Sequence, residues 1–249
     1  MEVKILQLLE GAKDARGLTV IIDVFRAFST ACYVFDCGVN RIFPTGEIGA
    51  AYQLKEQNPD FVLIGERNEQ KPPGFDFGNS PSQIINENLK GKTVVHTTSS
   101  GTQGIANAKK SDEIITGSFV NAGAIVKYIQ QKQPEMVSLV CMGYACEYPT
   151  DEDTLCAEWI KNELEAPPNL PDGGGKETKN FEEIVEIIRQ GSGARFFDPE
   201  KQSWSPQADF DLCLNLNRFG FVLKVEKEEK PLPASPYGEG NLYLRKINI

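Results

Sequence analysis

An apolar run near the start of the chain ends in residues that can bind a metal ion or a phosphate. Val20–Ile22 is followed by Asp23, then by Arg26, and then by the hydroxyls of Ser29 and Thr30. A carboxylate can hold a metal ion or act as a nucleophile, and arginine and hydroxyl groups bind phosphate oxygens. Since ligands of α/β proteins bind at the carboxyl ends of strands, this spacing predicts an enzyme that acts on a phosphorylated small molecule.

Three further polar clusters follow segments that are predicted to be strands. They are Gly65-Glu66-Arg67, the run 97–102, and the run 117–121, which ends in Asn121. If the strands are parallel, these clusters and Asp23 lie on one edge of the sheet. The run 97–102 starts a predicted helix, whose free N–H groups can bind a phosphate, and a hydroxyl-rich helix cap is the equal alternative for this run. The predicted phosphate-binding residues here are Thr98, Ser99, Ser100, Gly101, Thr102 and Asn121.

Four acids are candidate ligands for magnesium. Asp23 and Glu66 follow strands, and Glu152 and Asp153 lie in the first turn of a predicted helix. Carboxylate oxygens suit Mg²⁺, which takes only one or two of them beside waters and substrate oxygens. Not all four acids are therefore expected to touch the ion, and each one alone can equally be a helix cap or a salt-bridge partner.

Two other features bear on this site. The Pro- and Gly-rich run 71–81 predicts a loop of fixed shape, either a substrate wall or a rigid connector. Within it, Asn79 and Ser80 are placed near the substrate, with capping of the helix at Pro81 as their alternative role. His96, the only histidine, lies inside an apolar strand, which favours a structural role over catalysis.

The elements that must position these residues alternate between apolar strands and helical patterns. This alternation predicts an α/β fold, a three-layer α/β/α arrangement with a mostly parallel or mixed central sheet. We expect one domain over 1–249, with a Pro/Gly-rich surface loop at 165–180 and a strand pair at 219–249 that forms an edge hairpin. A last helix is predicted over 204–217. A homodimer is the default assembly.

Composition excludes several kinds of partner. The net charge of −9 makes nucleic acid an unexpected partner, because binding its backbone needs a basic surface. No apolar run nears the roughly 20 residues of a membrane span, and the N-terminus has no signal-peptide pattern. We therefore expect no membrane partner and a cytoplasmic location. The six cysteines form no Cys-x-x-Cys pair and are expected to be reduced, buried thiols.

Six motifs in one order resemble the 2-phosphosulfolactate phosphatase family. They are the runs 23–30, 65–67, 74–81, 97–102 and 117–122 and the pair Glu152-Asp153, with a weaker segment at 209–217. The resemblance implies a Mg²⁺-dependent α/β enzyme that hydrolyses 2-phospho-3-sulfolactate to 3-sulfolactate and phosphate, a step of coenzyme M biosynthesis. A phosphatase for another small 2-phospho acid and a non-catalytic protein that binds an anionic metabolite stay as alternatives.

This hypothesis assigns a role to each charged candidate. Mg²⁺, held by Asp23 or Glu66 with the other two acids near, bridges phosphate oxygens. One of Arg26 and Arg67 holds the phosphate, and the other binds the carboxylate or sulfonate of the substrate. A carboxylate orients water or attacks phosphorus. Phe25 stands where an Asp-x-Asp nucleophile pattern would have its second acid, which favours the metal role for Asp23.

Overall fold

The computed structural model describes residues 1–166, 180–228 and 242–249. Within these ranges, nine strands form one mixed sheet with helices on both of its faces, so the predicted three-layer α/β/α class is confirmed. The predicted surface loop at 165–180 falls on residues 167–179, which lie outside the described residues. None of the described helices combines the length and the apolar character that crossing a bilayer requires.

The elements have the following bounds. The strands are β1 (Glu2–Gln7), β2 (Gly17–Ile22), β3 (Arg41–Thr45), β4 (Val62–Gly65), β5 (Thr93–Thr97), β6 (Ser111–Gly117), β7 (Met136–Cys141), β8 (Phe221–Lys227) and β9 (Leu242–Asn248). The helices are α1 (Leu8–Asp14), α2 (Ala27–Asp36), α3 (Ile48–Gln57), α4 (Pro81–Ile84), α5 (Gly101–Asn107), α6 (Ala122–Lys132), α7 (Asp151–Glu165), α8 (Phe181–Gln190) and α9 (Gln207–Cys213). Short 3₁₀ segments cover Phe119–Asn121, Ser192–Phe197 and Pro199–Lys201.

The sheet joins two groups of parallel strands in the order β1-β7-β2-β6-β8-β9-β3-β5-β4. The first four strands are parallel to one another, and so are the last three. Between them, β8 and β9 pair antiparallel with each other, with β6 and with β3. The strand pair predicted at 219–249 is present, but its predicted edge position is wrong. It lies at the centre because it covers the free backbone edges of both groups.

The two groups run in opposite directions along the sheet, because three antiparallel pairings separate β6 from β3. The premise that all the strands bearing site residues are parallel is therefore wrong. Twist reduces this difference in direction, since five steps from β2 to β5 at about 20 to 25° each accumulate about 100 to 125°. Helix α5, which follows β5, packs against β2. The ends of β2 and β5 are thereby brought together.

Register sets which loops start side by side. Ile22 at the end of β2 lies opposite Gly117 of β6 and Cys141 of β7. In the other group, Gly65 of β4 lies opposite Thr97 of β5. The residue after each of these strands therefore begins a loop next to the loop that follows its neighbour.

Three clusters of buried side chains hold the layers together. The first cluster lies between the group β1-β7-β2-β6 and the helices α6, α7 and α8. The second lies on the opposite face of that group and extends to β3, β4 and β5. The third lies between α3 and the strands β3, β4 and β5. Along β2, Val20 and Ile22 enter the first cluster and Ile21 the second, as the two-residue period of a strand requires.

Two other sequence expectations differ from the structure. No element is predicted for residues 1–14, where the structure has β1 and α1. The helix predicted over 204–217 is shorter, because Pro206 is the N-cap of α9 and the helix ends at Cys213. Downstream of that end, Asn217 has a left-handed backbone with φ of 57°, which no helix accommodates.

Candidate active site

A cleft lies where the loops after β2, β4 and β5 meet. Its wall contains three acids, two arginines and several hydroxyl and amide groups. The lining residues are Asp23, Phe25, Arg26, Glu66, Asn68, Glu69, Asn79, Thr98, Ser99, Ser100, Gly143, Tyr144, Ala145 and Arg195. Seven of the residues predicted from the sequence are therefore brought to one wall.

A larger cavity of about 980 Å³ lies elsewhere, beside α6, α7 and α8. Its wall is made mainly of apolar and amide side chains, with Lys127 and two acids, and none of the predicted site residues is among them. We assign the chemistry to the smaller cleft, because the buried carboxylates, arginines and hydroxyls converge there.

Asp23 is buried at the wall of the cleft. Its Oδ1 accepts a hydrogen bond from the Ala27 N–H at 3.0 Å, and its Oδ2 accepts one from the Gly101 N–H at 2.8 Å. The pKa of Asp23 is raised to about 7, first by burial and then by the negative charges of Glu66 and Glu152, against the lowering effect of the two N–H donors. A cation bound nearby would stabilise the ionised form of this buried carboxylate.

Glu66 lines the same cleft. Its Oε1 accepts from the Ser99 N–H at 2.6 Å, and its Oε2 accepts from the Ser99 hydroxyl at 3.2 Å and from the Glu69 N–H at 2.9 Å. The pairing of Gly65 with Thr97 explains this contact, because the loops after β4 and β5 start side by side.

These bonds change the role expected for the loop 97–102. The N–H groups of Ser99 and Gly101 donate to the carboxylates of Glu66 and Asp23. The Thr98 N–H donates to the Thr102 hydroxyl at 3.1 Å. These three N–H groups therefore already have protein acceptors in place of the expected phosphate. Thr98, Ser99 and Ser100 still line the cleft, whereas Gly101 and Thr102 lie behind its surface.

Gly101 carries a close contact that predicts a large effect of a small substitution. A Cβ at this position would lie 2.9 Å from both Asp23 Oδ2 and Ala27 Cβ. Gly101→Ala is therefore expected to displace the Asp23 carboxylate and to reduce both activity and the free energy of unfolding. Gly49→Ala is the control, since a Cβ at that position would have nothing within 4 Å, and alanine in a helix is expected to be stabilising by about 0.5–1 kcal/mol. Equal behaviour of the two variants in denaturant titrations and activity assays would contradict this.

Asp153 and Glu152 stand behind the cleft and do not line it. Asp153 accepts from the Val24 N–H at 2.8 Å and from the Gly143 N–H at 2.9 Å, so it joins the segments that carry Asp23 and Tyr144. Burial raises the pKa of Asp153 and the pKa of Glu152. Glu152 accepts a hydrogen bond from the Ser192 hydroxyl.

Arg26 reaches the cleft from the start of α2 and is held by a partner that sequence reasoning did not select. Its Nη1 is 2.7 Å from Oδ2 of Asp209, and both side chains are almost fully buried. The Oδ1 of Asp209 accepts from the Ser80 hydroxyl at 3.0 Å and from the Ser82 N–H at 2.9 Å. Ser80 therefore supports this ion pair and does not line the cleft. The weaker family-like segment at 209–217 was the sequence feature that could have identified Asp209.

Four predicted residues are placed away from the cleft. Arg67 donates to three protein oxygens, namely the carbonyls of Glu66 and Gly46 and the hydroxyl of Thr97. The other three are fully buried inside the fold. The Ser29 hydroxyl hydrogen-bonds the Val24 carbonyl and the Ser118 hydroxyl, and Asn121 accepts from the Ser118 N–H. The Thr30 hydroxyl has no hydrogen-bond partner within the described ranges.

The cleft also contains residues that the sequence did not suggest. Arg195 comes from the 3₁₀ segment Ser192–Phe197, and Asn68 and Glu69 come from the turn after β4. Tyr144 follows β7 and stacks on Tyr148 with ring centroids 5.2 Å apart. The rule that sites follow strands could have found the turn residues and Tyr144. No sequence signal marked Arg195.

Asn79 lines the cleft and is positioned by the single histidine. Its Oδ1 lies 3.1 Å from Nε2 of His96, whose imidazole is buried. Burial lowers the pKa of His96 from 6.5 to about 4. His96 is thus neutral near pH 7, and its Nε2–H can orient Asn79 toward the cleft, which is the structural role expected for it.

A pH dependence of stability follows from His96. The unfolded chain takes up this proton near pH 6.5 and the folded protein only near pH 4, so acid favours the unfolded state within that window. The contribution of His96 falls as the pH is lowered, by about 3 kcal/mol in total. The imidazole signal in an NMR titration is unambiguous because there is one histidine. A midpoint near 6.5 in the folded protein would contradict this.

The donor chemistry of the cleft fits Mg²⁺. Asp23 and Glu66 offer carboxylate oxygens on one wall, and the negative charge of Glu66 raises the pKa of Asp23. Two protein carboxylates are what Mg²⁺ commonly takes, the rest of its ligands being water and substrate oxygens. The residues described do not bring three or more acidic, histidine or cysteine side chains into an ion cage, so a four-acid site is not formed.

Comparison with known proteins gives a consistent result. The family model described as 2-phosphosulpholactate phosphatase matches residues 4–228. The chain is similar to proteins named "Probable 2-phosphosulfolactate phosphatase": one from Thermotoga petrophila is 39% identical over 71% of this chain and 76% of the relative. One from Bacillus subtilis is 28% identical over 85% of this chain and 88% of the relative.

A third relative of the same name, from Caldanaerobacter subterraneus, is 28% identical over 83% of this chain and 87% of its own length. The family match covers most of the described sheet and both sides of the cleft, from β1 to β8. The resemblance carried by the six motifs is thereby confirmed, and this chain belongs to the 2-phosphosulpholactate phosphatase family.

Proposed function

We propose that this protein is a Mg²⁺-dependent phosphatase that hydrolyses 2-phospho-3-sulfolactate to 3-sulfolactate and phosphate. The observation that supports it most is the pair Asp23 and Glu66 on a cleft wall that also carries two arginines and a row of hydroxyls. This combination suits a phosphate ester and a divalent cation together, and the names of the relatives agree with it.

We assign the residues of the cleft the following roles. Held by Asp23 and Glu66, the Mg²⁺ ion would neutralise charge on the phosphate oxygens when bound. The hydroxyls of Thr98 and Ser100 can donate to those oxygens, whereas the Ser99 hydroxyl donates to Glu66, and the Arg26 guanidinium adds positive charge on the same wall.

Proton transfer by Asp23 is the alternative to its holding the ion: in the ion-free protein its pKa is raised to about 7, which lies in the range in which a general acid or base works at neutral pH. Oδ1 and Oδ2 are both oriented by backbone N–H groups, which fixes the face that the carboxylate turns toward the substrate. Rapid-quench experiments distinguish two routes of attack on phosphorus. Attack by a carboxylate forms a phosphoenzyme, whereas direct attack by water does not.

The decisive experiment measures phosphate release from 2-phosphosulfolactate with and without EDTA, beside a panel of other 2-phospho acids. We expect release that EDTA stops and that Mg²⁺ restores, with the highest kcat/KM for 2-phosphosulfolactate. A better substrate elsewhere in the panel would move the assignment to that acid. Tight binding of 3-sulfolactate without any phosphate release would favour a non-catalytic binding protein.

The cellular context belongs to the same proposal. Production of 3-sulfolactate would place the protein in coenzyme M biosynthesis. The homodimer and the cytoplasmic location expected from the sequence stay predictions, to be tested by light scattering and by fractionation.

A further inference from the structure

Arg195 is the second arginine on the cleft wall, and it is bonded differently from Arg26. The Arg26 guanidinium is locked at 2.7 Å to the buried Asp209. Nε of Arg195 is 3.2 Å from Oε1 of Glu69, but its N–H is not aligned for a hydrogen bond, and this buried nitrogen has no hydrogen-bond partner among the described residues. The ion pair is therefore close in distance and weak in geometry.

The rest of the Arg195 guanidinium has donors to spare. Its Nη2 donates to the Phe25 carbonyl at a long 3.3 Å, and an arginine has five N–H donors. Within the part of the chain that the structure describes, this is the only hydrogen bond that the side chain makes. The side chain is 16% exposed, so it stands at the cleft surface with donors that a ligand can use.

Aromatic rings fix the position of this guanidinium without using its donors. Its carbon lies 5.1 Å from the ring centroid of Phe196, and 5.8 Å from those of Phe25 and Tyr144. Contacts of this kind orient an arginine by its planar face. The edge of the guanidinium, which carries the N–H groups, is left for an acceptor of matching shape, such as a carboxylate or a sulfonate.

Glu69, the present neighbour of Arg195, is presented by an unusual turn. Arg67 and Gln70 exchange backbone hydrogen bonds at 3.0 and 3.1 Å, and the two residues between them have φ of 52° at Asn68 and 66° at Glu69. Glutamate rarely adopts this left-handed conformation. Strained residues of this kind cluster at ligand sites, and here the turn sets an acidic side chain on the cleft wall beside an arginine.

We propose that Arg195 binds an acidic group of the substrate other than the phosphate, a carboxylate or a sulfonate, and that this group takes the place of the Glu69 carboxylate beside Arg195. The inference rests on the proposed function for its substrate class, small phosphate esters that carry a carboxylate or a sulfonate. Arg195 thereby takes the role that the sequence analysis had left to one of Arg26 and Arg67. Glu69 makes the site selective, since a ligand without a strong second acid cannot replace it.

The test compares two substrates in three variants. The substrates are 2-phosphosulfolactate and glycerol 2-phosphate, which has neither a carboxylate nor a sulfonate. Arg195→Gln is expected to lower the ratio of their kcat/KM values by about 10- to 100-fold, the effect of losing hydrogen bonds to a charged group. Glu69→Gln is expected to lower KM for 2-phosphosulfolactate, because a neutral amide competes less well for Arg195.

Arg189→Gln is the matched control. This arginine also lies against aromatic rings, 4.6 Å from the centroid of Phe197 and 4.7 Å from that of Phe210, but it does not line the cleft. It should leave the substrate ratio unchanged. Equal losses on both substrates in Arg195→Gln would overturn the proposal, because they would show that Arg195 only shapes the cleft.

A binding measurement separates this inference from the phosphatase activity. Calorimetry with 3-sulfolactate, which has no phosphate, is expected to show binding that Arg195→Gln weakens by about tenfold or more and that Glu69→Gln strengthens. If the protein released no phosphate from any substrate yet bound 3-sulfolactate in this Arg195-dependent way, the proposed function would fail and the role of Arg195 would stand. Binding that is unaffected by Arg195→Gln would overturn it.

Discussion

Replacing Asp23 by asparagine is expected to lower phosphate release by about 10²- to 10⁴-fold, the usual contribution of a positioned acid–base group. The carboxylate is buried, faces the cleft and has its pKa raised to about 7. Asparagine keeps the size of the side chain but can neither ionise nor hold a cation as strongly. Glu66→Gln, which changes the other candidate metal ligand of the cleft, is expected to lower phosphate release as well.

Asp36→Asn is the control for Asp23→Asn. Asp36 ends the helix that follows Asp23, is 48% exposed and makes only a loose 4.0 Å contact with Arg218. Its activity should equal that of the unsubstituted protein. Circular dichroism and a denaturant titration confirm that each variant is folded. A folded Asp23→Asn or Glu66→Gln variant with full turnover in Mg²⁺ would remove that residue from the proposed mechanism.

Removing Asp209 is expected to cost about 3–5 kcal/mol of the free energy of unfolding, because Arg26 is then left buried without its counter-charge. Asp209 is fully buried and accepts from Arg26, Ser80 and Ser82. The Asp209→Ala variant therefore loosens the start of α2 and the start of α4 at once. Urea titrations followed by fluorescence measure the loss.

Two further variants separate the charge effect from a packing effect. Asp211→Ala changes an exposed acid in the same helix and should alter stability little. The double variant Arg26→Met/Asp209→Leu removes both charges and should regain much of the lost stability, while activity stays low because Arg26 is gone from the cleft. A double variant as unstable as Asp209→Ala would show that the ion pair is not the cause.

The sequence predicted the place of the site better than the directions of its side chains. Asp23 and Glu66 could be selected because the rule of strand ends locates a residue by the backbone alone. Ser29 and Asn121 satisfied the same rule, but both side chains turn inward to hydrogen-bond partners near Ser118. Residue type and spacing do not encode that choice, since it depends on which groups the finished fold leaves without a partner.

Arg67 and Arg195 show a second kind of limit. Arg67 follows a strand, yet three protein oxygens surround its guanidinium. Arg195 follows no strand and reaches the cleft only because α8 and the 3₁₀ segment after it fold back toward Phe25. Such long-range placement is decided by packing between layers, which neither periodicity nor local motifs report.

The fold class could be predicted because the alternation of strands and helices is local. The position of β8 and β9 could not, since the order of strands in a sheet depends on edges that are far apart in sequence. Each parallel group ends in a strand, β6 or β3, that needs a partner on its free side. An antiparallel pair from late in the chain supplies both partners.

This arrangement has a consequence for synthesis on the ribosome. The strands of both groups, from β1 to β7, are translated before β8 and β9, which join the two groups. Until then β6 and β3 present open edges that can pair with another chain, and closure requires contacts of high sequence separation, which form slowly. We therefore expect the nascent protein to expose these two edges until β8 and β9 have been made, and exposed strand edges favour aggregation or chaperone binding in that interval.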